Sequence, residues 1–276
     1  MSEPDVPPLL GRAFRRETTD DPSMEQMVRI LDFQDTAPSI RRLRQWSFAQ
    51  AGVTPGERAV DIGSGTGTVT RALATLVGPA GRVTGVDPNP MMRAVAASRT
   101  DAPNVTYVDG AADTVPLEDA GTDLVWCERV LQHVEDAEGA LRELARVLRP
   151  GGRALVLDSD HASRVNSDID PEVEHAITLA FMGQMANPMA ARHVPRQAIA
   201  AGLTVEPDVG SAALLFPQDL LLEAPLLRMA ADQAVRDGTI SAEQADAAVE
   251  AQHEAARRGW AFSAVTVFAF VLRKPE

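Results

Sequence analysis

The residues whose types and spacing could do chemistry begin with Val60-Asp61-Ile62-Gly63-Ser64-Gly65-Thr66-Gly67. An apolar run, Ala59 to Ile62, ends in three alternating glycines, and a helical pattern from Thr68 to Val77 follows at once. Glycines at such a turn let a ligand reach backbone N–H groups at a helix N-terminus. Spacing narrows the ligand. The dinucleotide fingerprint G-x-G-x-x-G requires glycine at 68, where this chain has Thr68. An acid two residues before the first glycine, Asp61, instead suits an amino-acid tail. The amides of Gly63 to Gly67 would face its carboxylate and Asp61 its ammonium, directly or through water. That combination favours S-adenosylmethionine over NAD.

A second carboxylate, Asp87, ends the second apolar run 20 positions after Gly67, where it can accept both hydroxyls of a ribose. Met92 opens the next helix and can lie against an adenine face or simply fill the core. His133 follows the fourth strand and is the candidate general base, with Asp158, at the end of the fifth, placed to orient its ring. Glu128 and Gln132 read as site-lining or capping residues. Cys127 reads as a small strand-end residue near the cofactor, with neither the base nor the electropositive setting that a nucleophile needs. His161, Asp158, Asp160, Asp168 and Asp170 match neither a zinc nor a calcium-loop spacing, so a polar loop and no metal is expected.

The elements that must position these residues alternate as strand and helix from Glu57 to Asp158, the pattern of a parallel sheet with right-handed crossovers. Strands are expected at Ala59–Ile62, Arg82–Val86, Val105–Val108, Asp123–Cys127 and Arg153–Leu157, the last entered through a tight turn at Arg149-Pro150-Gly151-Gly152. Two helices precede them, Ser23 to Phe33 and Pro38 to Gly52, after a loosely docked start over 1–20. Beyond Asp158 the pattern reads as a loop to Asp170, then helices Pro171–Met185 and Val194–Ala201. A sixth strand lies within Leu203–Leu215, a helical pair covers Gln218–Arg236 and Ser241–Arg258, and a last strand covers Trp260–Leu272. The helical pair, over 216–259, is expected to cap an apolar substrate pocket, with Phe181, Met182, Met185 and Met189 as another wall. This divides the chain into a helical cover (1–56), a ligand-binding core (57–160) and the remainder (161–276).

The whole chain sets limits. At 276 residues it suits one α/β domain with an elaboration. A net charge of −13 argues against a nucleic-acid partner, and Arg41, Arg42 and Arg44 read as a solvated helix face. The single cysteine fits a reducing compartment, the start does not resemble a signal peptide, and the longest mainly apolar run, Trp260–Leu272, is short of the ~20 residues a membrane helix needs. A cytoplasmic monomer or homodimer without membrane contact is expected.

The chain resembles the class I S-adenosylmethionine-dependent methyltransferases, and is most similar to their ubiquinone/menaquinone-biosynthesis and bacterial natural-product branch. Five linked pieces carry the resemblance: the glycine loop; Gly85-Val86-Asp87-Pro88-Asn89 with Met92; Gly110-Ala111-Ala112 with Val115-Pro116-Leu117; Val130-Leu131-Gln132-His133-Val134; and Leu148-Arg149-Pro150-Gly151-Gly152. It implies a Rossmann-like seven-stranded sheet of order 3-2-1-4-5-7-6, with N-terminal helices and a helical insertion between strands 6 and 7. It also implies transfer of a methyl group to an O, N or C atom of a small, partly apolar metabolite, leaving S-adenosylhomocysteine. Many relatives have Gly-Asp-Ala where this chain has Gly110-Ala111-Ala112, so the adenine amino group must find another acceptor, such as Asp109 or Asp113. Two rivals stand beside this reading: a non-methylating cyclase or binding protein on the same fold, and a nicotinamide oxidoreductase.

Overall fold

The computed structural model describes residues 23–223 and 225–276, so the expectation for the start of the chain lies outside the described residues. Two helices, α1 (Ser23–Thr36) and α2 (Pro38–Ala51), precede the sheet. Pro38 sits in the first turn of α2, where its missing N–H costs nothing, and Gly52 stops the helix in a left-handed conformation (φ 55°). Then follow β1 (Arg58–Ile62), α3 (Thr68–Val77), β2 (Arg82–Asp87), α4 (Pro90–Ser98), β3 (Val105–Asp109), β4 (Thr122–Glu128), a 3-10 turn (Leu131–His133) and α5 (Ala137–Val147). The rest comprises β5 (Leu148–Asn166), α6 (Pro171–Met182), α7 (Ala190–Ala200), β6 (Thr204–Val205), β7 (Gly210–Leu215), α8 (Gln218–Glu223), α9 (Pro225–Arg236), α10 (Ala242–Arg257) and β8 (Ser263–Arg273).

The strands form one sheet of order β3-β2-β1-β4-β5-β8-β6, with β7 also paired to β8. The first five run parallel, and β8 is antiparallel to β5. This is the Rossmann-like order expected from the sequence. The expected sixth strand is two pieces. Val205 faces Leu272 and Gly210 faces Ala269, so four residues on one side stand against two on the other. Pro207, which has no N–H to give a ladder, lies in that bulge.

Alternation along β4 shows why the sheet is covered on both sides. Val125 and Cys127 join a core with Leu141, Leu144, Val194 and Ala198, while Leu124 and Trp126 join another with Ile40, Leu43, Val69 and Leu73. A third core lies outside the sheet, where Val173, Ile177 and Phe181 of α6 meet Leu227, Ala230 and Ala234 of α9 and Ala245 and Val249 of α10.

One expectation is corrected here. Asp160 to Asn166 is strand, not loop: β5 pairs with β8 as far as Asn166 opposite Ser263, with an irregularity between Asp160 and Val165. The helix expected from Gln218 to Arg236 is described as α8 and α9, on either side of residue 224, which lies outside the described residues. The tight turn at Arg149–Gly152 survives as a register shift in the β4–β5 ladder, with Gly151 at φ 71°.

Candidate active site

The glycine loop lies between the carboxyl end of β1 and the start of α3, and neighbouring strands hold it. The Gly63 and Ser64 amides donate to the Val86 carbonyl at 2.8 and 3.0 Å. Gly63 has φ 70°, and a Cβ there would meet Val130 Cγ2 at 2.2 Å, so the loop and the segment after β4 are in direct contact. Asp87 ties the loop from the other side. Its carboxylate accepts from the Gly65 amide at 2.9 Å and from the Asn89 amide at 2.8 Å. Burial raises the Asp87 pKa above the usual carboxylate range, although both amides oppose this. Asn89 in turn caps α4, accepting from the Met91 and Met92 amides.

Asp61, 2% exposed, accepts a 2.6 Å hydrogen bond from the Thr70 hydroxyl. Burial pushes its pKa up to about 7, with Glu128 and Asp87 adding repulsion. Ser64 Oγ is buried with no hydrogen-bond partner. An orphaned hydroxyl in the loop and a buried carboxyl poised to take a cation both fit the amino-acid end of a sulfonium donor.

Other expected contacts are placed differently. Met92 is 1% exposed and packs with Met27 of α1, so its side chain is covered by the first helix. The Cys127 thiol is wholly buried in the core formed with Val60, Ile62 and Val86, not in the crevice, and burial pushes its pKa well up. Pro88 is half-buried beside Asp87. Gly110 packs against Pro116 and Val86, and Ala111 is locked to Thr114 through both backbone groups. Ala112 is buried, while Asp109 receives Arg93 at 3.1 Å.

A cavity of about 180 Å³ opens beside the carboxyl ends of β4 and β5. Its polar wall comprises Glu128, Arg129, Gln132, His133, Ser159, His161 and Arg164. Its apolar wall comes from Met27, Ile30 and Leu31 of α1, Ile177 and Phe181 of α6, and Leu220, Leu226 and Leu227 of the insertion. Phe181 and Met185 line it as expected, whereas Met182 and Met189 do not. Leu31 joins the two sites: it lines the cavity, and its Cδ1 lies 3.5 Å from where a Gly65 Cβ would stand.

The charged wall is built from an ion cluster. Arg44 is buried and bidentate on Glu128, with Nε at 2.9 Å and Nη2 at 2.9 Å, and it reaches Asp35 at 2.6 Å. It is therefore not the solvated residue expected; only Arg41 and Arg42 are exposed. Trp126 donates to Glu128 at 3.2 Å, and Arg129 lies 3.4 Å away. Burial opposes ionisation of Glu128, but Arg44 and Arg129 hold its pKa below the usual value. Arg129 itself sits at φ 56°, a left-handed conformation rare outside glycine.

His133 closes the 3-10 turn, and its Nε2 lies 3.0 Å from the Gln132 amide nitrogen, which also donates to the Arg129 carbonyl. Gln132 Oε1 is 2.9 Å from His161 Nε2. The amide nitrogen of Gln132 has only protons to give, so His133 Nε2 accepts and His161 Nε2 donates. Asp158 plays a different part from the one expected. Burial pushes it up to about 7, and the hydrogen bonds it accepts come from the backbone amides of Ser159 (2.8 Å) and Gln132 (3.4 Å). It holds the turn that carries His133, not the imidazole. Gln132, His161 and Arg164 were missing from the expected catalytic set because their meeting depends on the extension of β5.

Two of the remaining acids have structural partners: Asp160 pairs with Arg192 and Asp170 caps α6. Among the described residues no three His, Cys, Asp or Glu side chains converge as a metal site, and no helix is long and apolar enough to cross a membrane.

Residues 60–156 match the methyltransferase-domain family model. The chain is 37% identical over 199 residues to an uncharacterised 37.1 kDa protein in transposon TN4556 of Streptomyces fradiae, covering 71% of this chain and 56% of that one. It is 33% identical over 177 residues to the ubiquinone/menaquinone biosynthesis C-methyltransferase UbiE of Ectopseudomonas mendocina, covering 61% and 66%. The chain thus spans a little over half to about two thirds of these relatives. The crystal structure of the Bacillus subtilis YcgJ protein shares the fold, with a TM-score of 0.59, 21% identity and coverage of 86% and 99%. With the glycine loop, the Asp87 clasp and the sheet order in place, the chain belongs to the class I S-adenosylmethionine-dependent methyltransferases, in the UbiE-like branch.

Proposed function

We propose that the protein transfers the methyl group of S-adenosylmethionine to an oxygen of a small, partly apolar metabolite held in the cavity beside the glycine loop. The observation that carries this reading is the contact between the two sites: Leu31 touches both, and Val130 joins the Gly63 turn to the residues that line the cavity. The bound donor supplies an activated methyl on a sulfonium, and the product is S-adenosylhomocysteine.

The chain's residues bind and align. The loop amides and Asp61 hold the amino-acid end, Ser64 Oγ gains the partner it lacks, and Asp87 accepts from the ribose. The region from Gly110 to Ala112 flanks the base. Apolar walls exclude water from the acceptor and fix its direction of approach. His133 takes the acceptor's proton at Nε2, its one unprotonated ring nitrogen, when the acceptor hydroxyl replaces the Gln132 N–H there, and Asp158 fixes the turn beneath it. Occurrence in the cytoplasm, and action as a monomer or homodimer on a small molecule without nucleic acid, belong to the same proposal.

Calorimetry with S-adenosylhomocysteine is the first test. One saturable site is expected, and no heat with either the donor or this product overturns the reading. Once an acceptor is found, His133→Ala should lower kcat on the order of 100-fold, the range for lost general-base catalysis, while leaving the product's affinity unchanged. An unchanged kcat would reduce His133 to a structural residue.

A further inference from the structure

The cavity holds a cation that nothing in the described protein neutralises. Arg164 lines it, yet forms no ion pair with any described carboxylate, and its Nε is buried without a hydrogen-bond partner. Glu174 acts on it only from beyond ion-pair reach, and it is already bonded by Asn166 at 3.1 Å and Thr178 at 3.3 Å. The other arginine of the wall is matched: Arg129 stands against Glu128 and Asp35, which Arg44 behind it also bonds. Neighbouring His161 adds no charge, since burial first, then Arg164 and His133, push its pKa down to about 3. Burial also lowers Arg164, but only to about 10, so it remains a cation near neutral pH.

The orientation of the guanidinium narrows what it can hold. Its centre lies 4.4 Å from the ring centroid of Phe181 and 5.5 Å from that of Phe216. These rings contact the guanidinium but offer its N–H groups no acceptor, and a planar fork of N–H donors grips a carboxylate with two parallel hydrogen bonds. The backbone places this edge deliberately. Asp160 faces Thr266 while Val165 faces Ala264, so four residues of β5, His161 to Arg164, stand against the single Val265 of β8 and bulge out of the ladder. On a regular strand, positions 161 and 164 would point to opposite faces; here both line one cavity. Ser163 pins the bulge, donating to the Asp160 carbonyl at 2.6 Å and accepting from the Thr266 amide at 2.9 Å.

We propose that the acceptor substrate is a monocarboxylate with an apolar, ring-sized body, anchored through its carboxylate on the N–H edge of Arg164. One guanidinium among leucines and phenylalanines balances one negative charge, which a carboxylate supplies and a phosphate dianion exceeds. The carboxylate is the anchor and not the methylated group, because the paired N–H donors occupy both of its oxygens. The proposal rests on the methyl-transfer reading and names the substrate class of the same site.

The test uses the full chain saturated with S-adenosylhomocysteine and titrated by calorimetry with 4-hydroxybenzoate, 4-hydroxycinnamate and 6-hydroxy-2-naphthoate, each against its methyl ester. At least one acid should bind 10-fold or more tighter than its ester. Arg164→Met should abolish that preference while S-adenosylhomocysteine still binds as in the wild type, and Arg164→Lys should retain part of it. Esters binding as well as acids, no acid binding at all, or an acid preference that survives in Arg164→Met would each overturn the proposal. Failure of S-adenosylhomocysteine to bind the wild type would instead overturn the methyl-transfer reading.

Discussion

Asp87 shows how one side chain can shape a site before any ligand arrives. Its two oxygens already serve the Gly65 and Asn89 amides, so the group that would receive the ribose also sets the geometry of the loop. Asp87→Ala leaves two amides without their acceptor, at a cost of about 1–3 kcal/mol per buried group. It should therefore lower Tm as well as weaken S-adenosylhomocysteine binding. Asp87→Asn keeps an acceptor for one of the two amides but turns an NH2 donor toward the other, so it should recover part of the Tm and less of the affinity, because a neutral amide is a poorer partner for two hydroxyls. Calorimetry and thermal melts on the two variants separate these effects, and equal recovery of both would count against ribose binding. Asp61 makes a companion case. A ligand ammonium beside it would draw its pKa down from about 7, so binding should release a proton and tighten from pH 6 to pH 8. Titrations in buffers of different ionisation enthalpy would detect that proton.

At the scale of elements, the first two helices and the end of β4 behave as one unit. Arg44 of α2 bonds Glu128 of β4 and Asp35 of α1, and Leu31 of α1 reaches the glycine loop. Such a buried cluster adds little net stability compared with an apolar replacement, but losing one member strands the others. Arg44→Met leaves Glu128 buried without its bidentate partner and should destabilise by about 3–5 kcal/mol, measured by denaturant unfolding. Adding Glu128→Gln should recover part of that loss. If the two changes are additive, the cluster is not the link between helices and sheet. The insertion follows a different logic. α6, α9 and α10 share a core of their own, and the cavity-facing leucines are the edge of that core turned toward the site.

Over the whole molecule, opposing ionisations set the pH response. Asp61 and Asp158 are both pushed up to about 7 by burial, so between about pH 4 and 7 the folded chain keeps protons that the unfolded chain has released. Their contribution is fully present at low pH and is lost as pH rises through 7. Glu57, Asp123, Glu128 and Glu143 are held below their usual values by arginines, all against the cost of burial, and their contribution is lost as pH falls below about 4. The ligand-free protein should therefore melt higher at pH 5 than at pH 8. S-adenosylhomocysteine should flatten the alkaline side by stabilising ionised Asp61. A Tm that climbs steadily to pH 8 without ligand would contradict this balance.

The parallel half of the sheet, the glycine loop and the carboxylates that end β1 and β2 were legible from residue order alone. Each depends on neighbours within a single strand–turn–helix unit, where local pattern and local geometry coincide. The partners of Arg44 and Asp158 and the wall that joins Gln132, His161 and Arg164 were decided by tertiary structure. Arg44 reaches across 84 positions to Glu128, and no helical period announces a partner that distant. His161 and Arg164 share a cavity only because β8 supplies a ladder that β5 leaves and rejoins, a property of two strands some 100 residues apart. Sequence by itself determined the fold and the kind of donor it is built to hold. The shape and charge of the acceptor cavity arose from elements brought together by folding, since long-range pairing obeys geometry that no local run of residues contains.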